Sequence, residues 1–284
     1  MIPSAFDYAA PATVAEALGL LAAAGDDVKL LAGGQSLIPV MKLRLADPAM
    51  VIDLGRIGEL SGVVDDGDAL LIGAMTPHHR IATDPLVSAH VPLLALATAT
   101  VADPQVRHRG TFGGALVHAD PAGDLPAPVL AADATFILAG PGGERRVAAA
   151  DFFQGYFTTA VAEGEILTHI RVPKYTGWGA HYEKFTRVSQ QWSIVGVAAM
   201  VKVEGGTITE ARIGLTNMAS TPLRATAVEQ ALAGAPLTRE AIAAACVHAA
   251  EGTDPASDLN GDAAYRRHLA VVLAKRAVIA AAGI

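Results

Sequence analysis

Two glycine pairs constrain this 284-residue chain more than any other feature. The first lies in "LLAGGQSLIP" at residues 30–39 and the second in "RGTFGGALVHA" at 109–119. Glycines at a strand-to-turn junction let the backbone take positive φ and approach a ligand with no Cβ in the way. Successive backbone N–H groups then converge into an anion-binding nest. In the first motif Gly33 and Gly34 form the bend, and Ser36 supplies a hydroxyl that either donates to the anion or caps the next helix. In the second, Thr111 precedes Gly113-Gly114, and Asp124 follows as the kind of acceptor that binds a ribose diol. One such loop is an ordinary turn; two together cradle an extended diphosphate. Neither is G-x-G-x-x-G or G-x-x-x-x-G-K-[ST], so a Rossmann dinucleotide fold or a P-loop is not indicated.

Around these motifs the pattern is that of a mixed chain. "ATVAEALGLLAAAG" (12–25) carries a Thr cap, a Glu three residues later and a Gly stop, which predicts a helix. "VKLLAG" (28–33) and "AMVIDLG" (49–55) read as short strands, and "GVVDDGDALLIGAMT" (62–76) as a hairpin turning on Asp-Asp-Gly-Asp. A helix is expected over about 86–100, and a short helix leading into a strand over 125–140. Pro, Gly and aromatic residues concentrate in "RVPKYTGWGA" (171–180), which marks a domain boundary. Beyond it come two strands joined by Gly205-Gly206, then helices over about 224–233, 238–250 and 262–282. That second unit is α+β, with antiparallel strands followed by helices.

Composition narrows the function. The formal net charge of -7, with no Lys/Arg-rich run, argues against a nucleic-acid partner. No apolar stretch is long enough for a transmembrane span, and "MIPSAFDYAA" lacks the pattern of a signal peptide, so a cytoplasmic protein is expected. The single cysteine, Cys246, rules out an intrachain disulfide and any four-cysteine metal or iron–sulfur site within the chain. Its Ala-rich helical surroundings suit a buried structural thiol. Redox chemistry here requires a bound organic cofactor.

"AGGQSL" and "VRHRGTFGG…DPAGDLP", in this order and spacing, resemble the FAD-binding medium subunit of the molybdenum hydroxylases, the xanthine dehydrogenase and aerobic carbon monoxide dehydrogenase group. The resemblance runs through "FDYAAPATVAEALGLLA", "LIPVMKLRLADPAMVIDLGRI" and "HYEKFTR" into the helical C-terminus. It implies an α+β fold: a two-part FAD-binding domain of the vanillyl-alcohol-oxidase-like type at 1–175, with subdomains of about 1–57 and 58–175. A smaller C-terminal flavoprotein domain with an antiparallel sheet and C-terminal helices follows at 176–284. It further implies that Ala32, Gly33, Gly34, Gln35, Ser36 and Leu37 hold the FAD diphosphate, and that Thr111, Phe112, Gly113, Gly114 and Ala115 complete the cradle. Asp124 then contacts the ribose side and Leu167 makes an apolar contact. Lys184 stands near the flavin, where a cation would stabilise the anionic reduced ring; a solvated surface charge is the plainer reading. Trp192, in "SQQWSIVG", either shields one ring face or belongs to the domain-interface core.

Some residues depart from the commoner pattern. Phe112 and Ala115 replace the Ile and Asn of Thr-Ile-Gly-Gly-Asn, making a larger apolar plug and removing one amide side chain. Gln35 stands where His is frequent in carbon monoxide dehydrogenases. His78 and His79 read as a polar helix start rather than a metal pair, and His108 and His118 as structural or solvent-facing. Asp103, Arg107 and Arg109 read as scaffold for the second loop.

The implied function is electron transfer. Electrons leave a molybdenum centre on a large subunit, pass two [2Fe–2S] clusters on a small subunit, and reach FAD on this chain for delivery to an external acceptor. No catalytic residue and no metal site is expected on the chain itself. The family arrangement is a dimer of three-subunit units, with membrane association only through partners. Two other readings are a self-contained FAD-dependent oxidoreductase and a non-catalytic assembly subunit.

Overall fold

A computed structural model describes residues 2–25 and 27–284. The first layer holds β1 (Asp7–Ala9), α1 (Val14–Ala24), β2 (Val28–Leu31), α2 (Leu37–Lys42) and β3 (Met50–Asp53). β1 and β2 flank β3, both parallel to it. The expected capping is present: Thr13 Oγ accepts from the Glu16 amide at 3.1 Å, the Glu16 carboxylate accepts from the Ala12 amide at 2.8 Å, and Gly25 ends the helix at φ 68°. Ala17 and Ile52 bury against Leu54, Ile57 and Leu60. Because α1 carries the chain back before β2, the first glycine loop leaves the carboxyl end of a parallel strand.

The second layer begins with the hairpin of β4 (Val63–Asp66) and β5 (Ala69–Gly73), turning at Gly67, whose amide is held by Asp65 Oδ1 at 3.0 Å. Six short helices follow: α3 (His78–Thr83), α4 (Pro85–His90), α5 (Pro92–Ala99), α6 (Pro104–Arg109), α7 (Phe112–His118) and α8 (Pro126–Ala131). The single helix expected over 86–100 is two helices. Pro92 disfavours helical backbone at Val91, which sits at φ -140°, ψ 59°. Then come β6 (Thr135–Gly140), β7 (Gly143–Ala148), the one-turn α9 (Ala149–Phe152), β8 (Phe153–Gly155), β9 (Thr158–Thr159) and β10 (Ile166–Pro173). An antiparallel sheet in the order β4-β5-β10-β6-β7 results, packed on helices through Leu94, Phe112, Leu116, Phe136 and Ile170, while β8 and β9 pair with each other.

The rest of the chain forms β11 (Gly179–Phe185), β12 (Val195–Glu204), β13 (Thr207–Thr216), β14 (Leu223–Arg224), α10 (Thr226–Leu232), β15 (Ala235–Pro236), α11 (Arg239–Cys246) and α12 (Ala263–Ala282). The helix expected over 238–250 tightens to 3-10 geometry after Cys246, over Val247–Ala250. β11, β12, β13 and β14 make an antiparallel sheet, with β12 buried on both faces. Its Ala198 and Met200 join the core built by α5 and α8, while Val197, Ala199 and Val201 pack with Cys246, Leu273 and Ala277. An unbroken apolar run, "VGVAAMV", is what such a two-faced strand requires.

Polar contacts tie the two cores together. Asp133, at the end of α8, pairs with Arg212, and with Arg224 at 2.8 Å; Arg224 also grips Glu229 at 2.6 Å. Tyr175 donates to the Ala132 carbonyl at 3.1 Å and lies under the Arg212 guanidinium, 5.5 Å from its ring centre. α8 rests directly on the β13 backbone at Gly214, where a Cβ would overlap the Ala127 carbonyl. Gly214→Ala should therefore push the two cores apart and cost about 1–3 kcal/mol, read as a lowered urea midpoint; an unchanged midpoint would show that this contact yields freely.

Candidate cofactor site

The first loop leaves β2 and turns at Gly34, φ 73°. Among the described residues, the amides of Gly33, Gly34, Gln35 and Ser36 donate to no acceptor in the protein. Gln35 Nε2 folds back onto the Gly33 carbonyl at 3.2 Å. Ser36 precedes α2 but its hydroxyl makes no capping bond, so of the two roles read from sequence only donation outward is left to it. Four uncommitted amides and a free hydroxyl make this loop a donor surface.

The second loop differs from what its sequence suggests. Thr111 caps α7, its Oγ accepting from the Gly114 amide at 3.3 Å. The amides of Phe112, Gly113 and Ala115 are spent on the carbonyls of Thr76 (2.9 Å), Ala74 (2.8 Å) and Thr111 (3.1 Å). The Phe112 ring is fully buried in the core, the plug its size predicts and not a surface for a ligand. The continuation of β5 thus accepts from the Phe112 and Gly113 amides, and Thr111 from those of Gly114 and Ala115. The Thr111 hydroxyl hydrogen is what this loop retains.

The glycines serve the meeting of the loops as much as any ligand. A Cβ on Gly33 would overlap the Arg109 carbonyl and the Gly110 Cα, and one on Gly113 would overlap Ala74. A Cβ on Gly114 would sit 2.6 Å from Thr111 Oγ and 3.2 Å from the Ala32 Cβ. The scaffold is as expected for two of three residues. Asp103 caps α6 through the Val106 amide at 2.8 Å, and Arg107 donates to the Val101 carbonyl at 2.8 Å. That grip holds Ala102 at the strained φ of 40°. Arg109 contributes its carbonyl, its side chain being exposed.

The histidines divide. His79 stacks on His108 with ring centres 4.0 Å apart, and His118 tilts against Phe157 at 5.2 Å. His78 opens α3, yet is buried, so it is no polar surface start. Its ring backs Gly110, its Nδ1 has no partner, and burial, then the nearby Arg107 charge, lower its pKa to about 4. Among the described residues no cluster of three His, Cys, Asp or Glu could hold a metal ion. Cys246 is buried and its thiol is pushed up to about 12 by that burial, consistent with an inert structural role.

Asp124 and Lys184 come together. Asp124 is 5% exposed, and its Oδ2 accepts from Lys184 Nζ at 2.6 Å. The Lys184 side chain is 10% exposed and also donates to the Thr100 carbonyl at 3.1 Å, so it is not a solvated surface charge. Oδ1 accepts from Ser193 Oγ at 2.8 Å and Tyr182 OH at 3.0 Å. Burial raises the Asp124 pKa, and Lys184 foremost, then the two hydroxyl donors, oppose that rise. Tyr182 and Ser193 were not read as site residues; nothing in their local sequence marks them, because the contacts join positions 58 and 69 apart.

Leu167 is buried in the core on β10, one residue before Thr168, whose carbonyl holds Ala74 under the second loop. Trp192 is 54% exposed, which removes it from the domain-interface core. It borders a cavity of about 240 Å³ lined by Asp120, Ser193, Asn217, Asn260 and Arg266. A larger groove, about 520 Å³, lies away from both loops between the end of α1 and residues 162–165. The residues present fit a diphosphate-bearing flavin nucleotide: uncommitted donors on one loop, a glycine-lined contact that side chains would close, and a lysine whose side chain is largely covered.

The molecule's likenesses agree with that chemistry. The family model "FAD binding domain in molybdopterin dehydrogenase" matches residues 4–175, and "CO dehydrogenase flavoprotein C-terminal domain" matches 180–281. The carbon monoxide dehydrogenase medium chain of Hydrogenophaga pseudoflava is 45% identical over 99% of this chain and 98% of its own. That of Afipia carboxidovorans is 42% identical over 98% and 97%. A solved carbon monoxide dehydrogenase from Hydrogenophaga pseudoflava, described as lacking the Mo-pyranopterin moiety of its cofactor, superimposes with a TM-score of 0.95 at 48% identity, covering 99% of this chain and 98% of that one.

Two outcomes are expected. Gly33→Ala should separate the loops and lower the flavin-to-protein ratio of the purified protein at least about tenfold; a stoichiometric ratio would remove the loop contact from the site. His78 is neutral when folded but protonates near its ordinary 6.5 when unfolded. Its contribution to stability is complete above that value and is lost as pH falls toward about 4. Unfolding free energy should fall by about 2 kcal/mol between about pH 7 and pH 5 from this residue. His78→Leu should flatten that dependence; an equal slope in the variant would assign it to other groups.

Proposed function

The chain belongs to the FAD-binding medium subunits of the molybdenum hydroxylases, and from that premise we propose that it serves as the electron-exit subunit of an aerobic carbon monoxide dehydrogenase. It carries FAD, whose ring accepts an electron pair and releases it singly or together. The first loop's amides at Gly33–Ser36, with Leu37 behind them and the Thr111 hydroxyl beside them, hold the diphosphate. Ala32 and Gly114 bring the two loops into register, Lys184 places its charge toward the ring, and Asp124 serves the ribose side. Trp192, exposed at the rim, covers one face of the flavin, and Leu167 supports it from the core.

The partners are a large subunit with the molybdenum cofactor and a small subunit with [2Fe–2S] clusters, assembled as a dimer of heterotrimers. Electrons pass from the small subunit to this chain and on to an external acceptor. The division into 1–175 and 176–284 is supported by the two family matches, and the split of the first part near residue 57 by the apolar cluster of Ala17, Ile52, Leu54 and Ile57, which Leu60 and Ile166 join from the second part. Among the described residues no helix is long and apolar enough to cross a membrane, and we place the complex in the cytoplasm, with any membrane contact made by partners.

The observation that carries this reading is the set of uncommitted amides at Gly33–Ser36 packed against Arg109–Gly110, in a chain that matches such subunits from end to end. The test is to purify the chain with its co-expressed partners. FAD should be present at one per chain, with iron and molybdenum in the other subunits, and the complex should reduce a dye with carbon monoxide. The isolated chain should retain FAD without oxidising carbon monoxide. Oxidation by the isolated chain would favour a self-contained oxidoreductase, and a flavin-free complex an assembly role.

A further inference from the structure

The polar cluster around Asp124 is more elaborate than holding a ribose requires. We propose that Ser193 and Tyr182 are positioning residues, which hold Asp124 so that it fixes the Lys184 ammonium at the flavin side of the site. This rests on the reading above that Lys184 faces the flavin.

Alternation on β11 puts Tyr182 and Lys184 on one face, and both side chains reach the same carboxylate through different oxygens. The Tyr182 hydroxyl also lies 3.3 Å from Thr216 Oγ on β13. Gly196 on β12, the register partner of Lys184, leaves space for that hydroxyl: a Cβ there would stand 2.7 Å from it. Ser193 is held just as closely. Asn217 Nδ2 donates to its carbonyl at 2.8 Å, Arg266 Nη1 donates to the Ile194 carbonyl at 2.5 Å, and the Asn217 amide reaches the Pro121 carbonyl at 2.9 Å. Three elements thus converge on one buried carboxylate.

The arrangement has an electrostatic purpose. A desolvated carboxylate keeps its charge only through the donors around it. Facing Asp124 are Tyr182 and Lys184 from β11, Ser193 from the segment before β12, with Thr216 from β13 behind Tyr182; among the described residues Lys184 is the one basic side chain bonded to it. Removing either hydroxyl brings protonation of Asp124 closer to neutral pH. Once Asp124 is neutral, the Lys184 charge is unbalanced, and the flavin side of the site gains one positive charge.

The experiment uses the holo complex with Ser193→Ala, Tyr182→Phe and Lys184→Met. The flavin midpoint potential is followed by absorbance from about pH 6 to pH 9, and FAD affinity by fluorescence. Each hydroxyl variant should weaken FAD binding about five- to tenfold. Each should also add a proton-linked break to the potential profile that the parent lacks. Lys184→Met should displace the potential at every pH. If Lys184→Met shifts the potential while both hydroxyl variants retain the parent profile, the positioning role is overturned and the site reading stands. If none of the three moves the potential, Lys184 does not face the flavin, and both fail. Should Tyr182→Phe not fold, Ser193→Ala, which removes one oxygen, decides alone.

Discussion

Two backbone segments approach here more closely than any side chain permits, and the cofactor side of the molecule depends on that approach. Gly33 lies on Arg109 and Gly110; Gly114 lies on Ala32. The first segment is held by a parallel strand, the second by the caps and carbonyl bonds of Asp103, Thr111 and Arg107. Because each loop is anchored to its own sheet, their contact also fixes the two parts of the N-terminal half against each other. The donor surface at Gly33–Ser36 is a product of that contact.

The second dependence is on charge. A carboxylate with 5% exposure is costly unless it is paired and hydrogen-bonded, and Asp124 has one cation and two hydroxyls. Its partners come from β11 and from the chain just before β12. The same bonds that oppose the rise in the Asp124 pKa therefore hold the C-terminal sheet against the segment that leads into α8. Lys184 is brought to that carboxylate by a strand that belongs to the other half of the chain.

Much of this was legible in the sequence, and the exceptions have physical reasons. α1, the β4–β5 hairpin and the β12–β13 pair were readable because caps, turn residues and apolar runs are local signals. The glycine pairs were readable as motifs, but their task was not: no local pattern reveals that the Phe112 and Gly113 amides would be taken by Thr76 and Ala74. β10 went unread because "ILTHIRVP" carries polar residues into a central strand, where Thr168 satisfies itself on the Ile137 carbonyl. Tyr182 and Ser193 were invisible for the same reason as most long-range pairs. Two ordinary polar residues acquire meaning only when folding brings a carboxylate to them.

β12 gives the molecule a history as well as a shape. A strand buried on one side by helices made early in the chain and on the other by helices made late cannot be finished until both have arrived. During synthesis α5 and α8 emerge before β12, and α12 emerges last. The finished strand is therefore covered on one face by elements of the N-terminal half and on the other by the C-terminal helices. Because one strand serves both cores, a substitution on either face of β12 is felt on both sides of the boundary between the two halves of the chain.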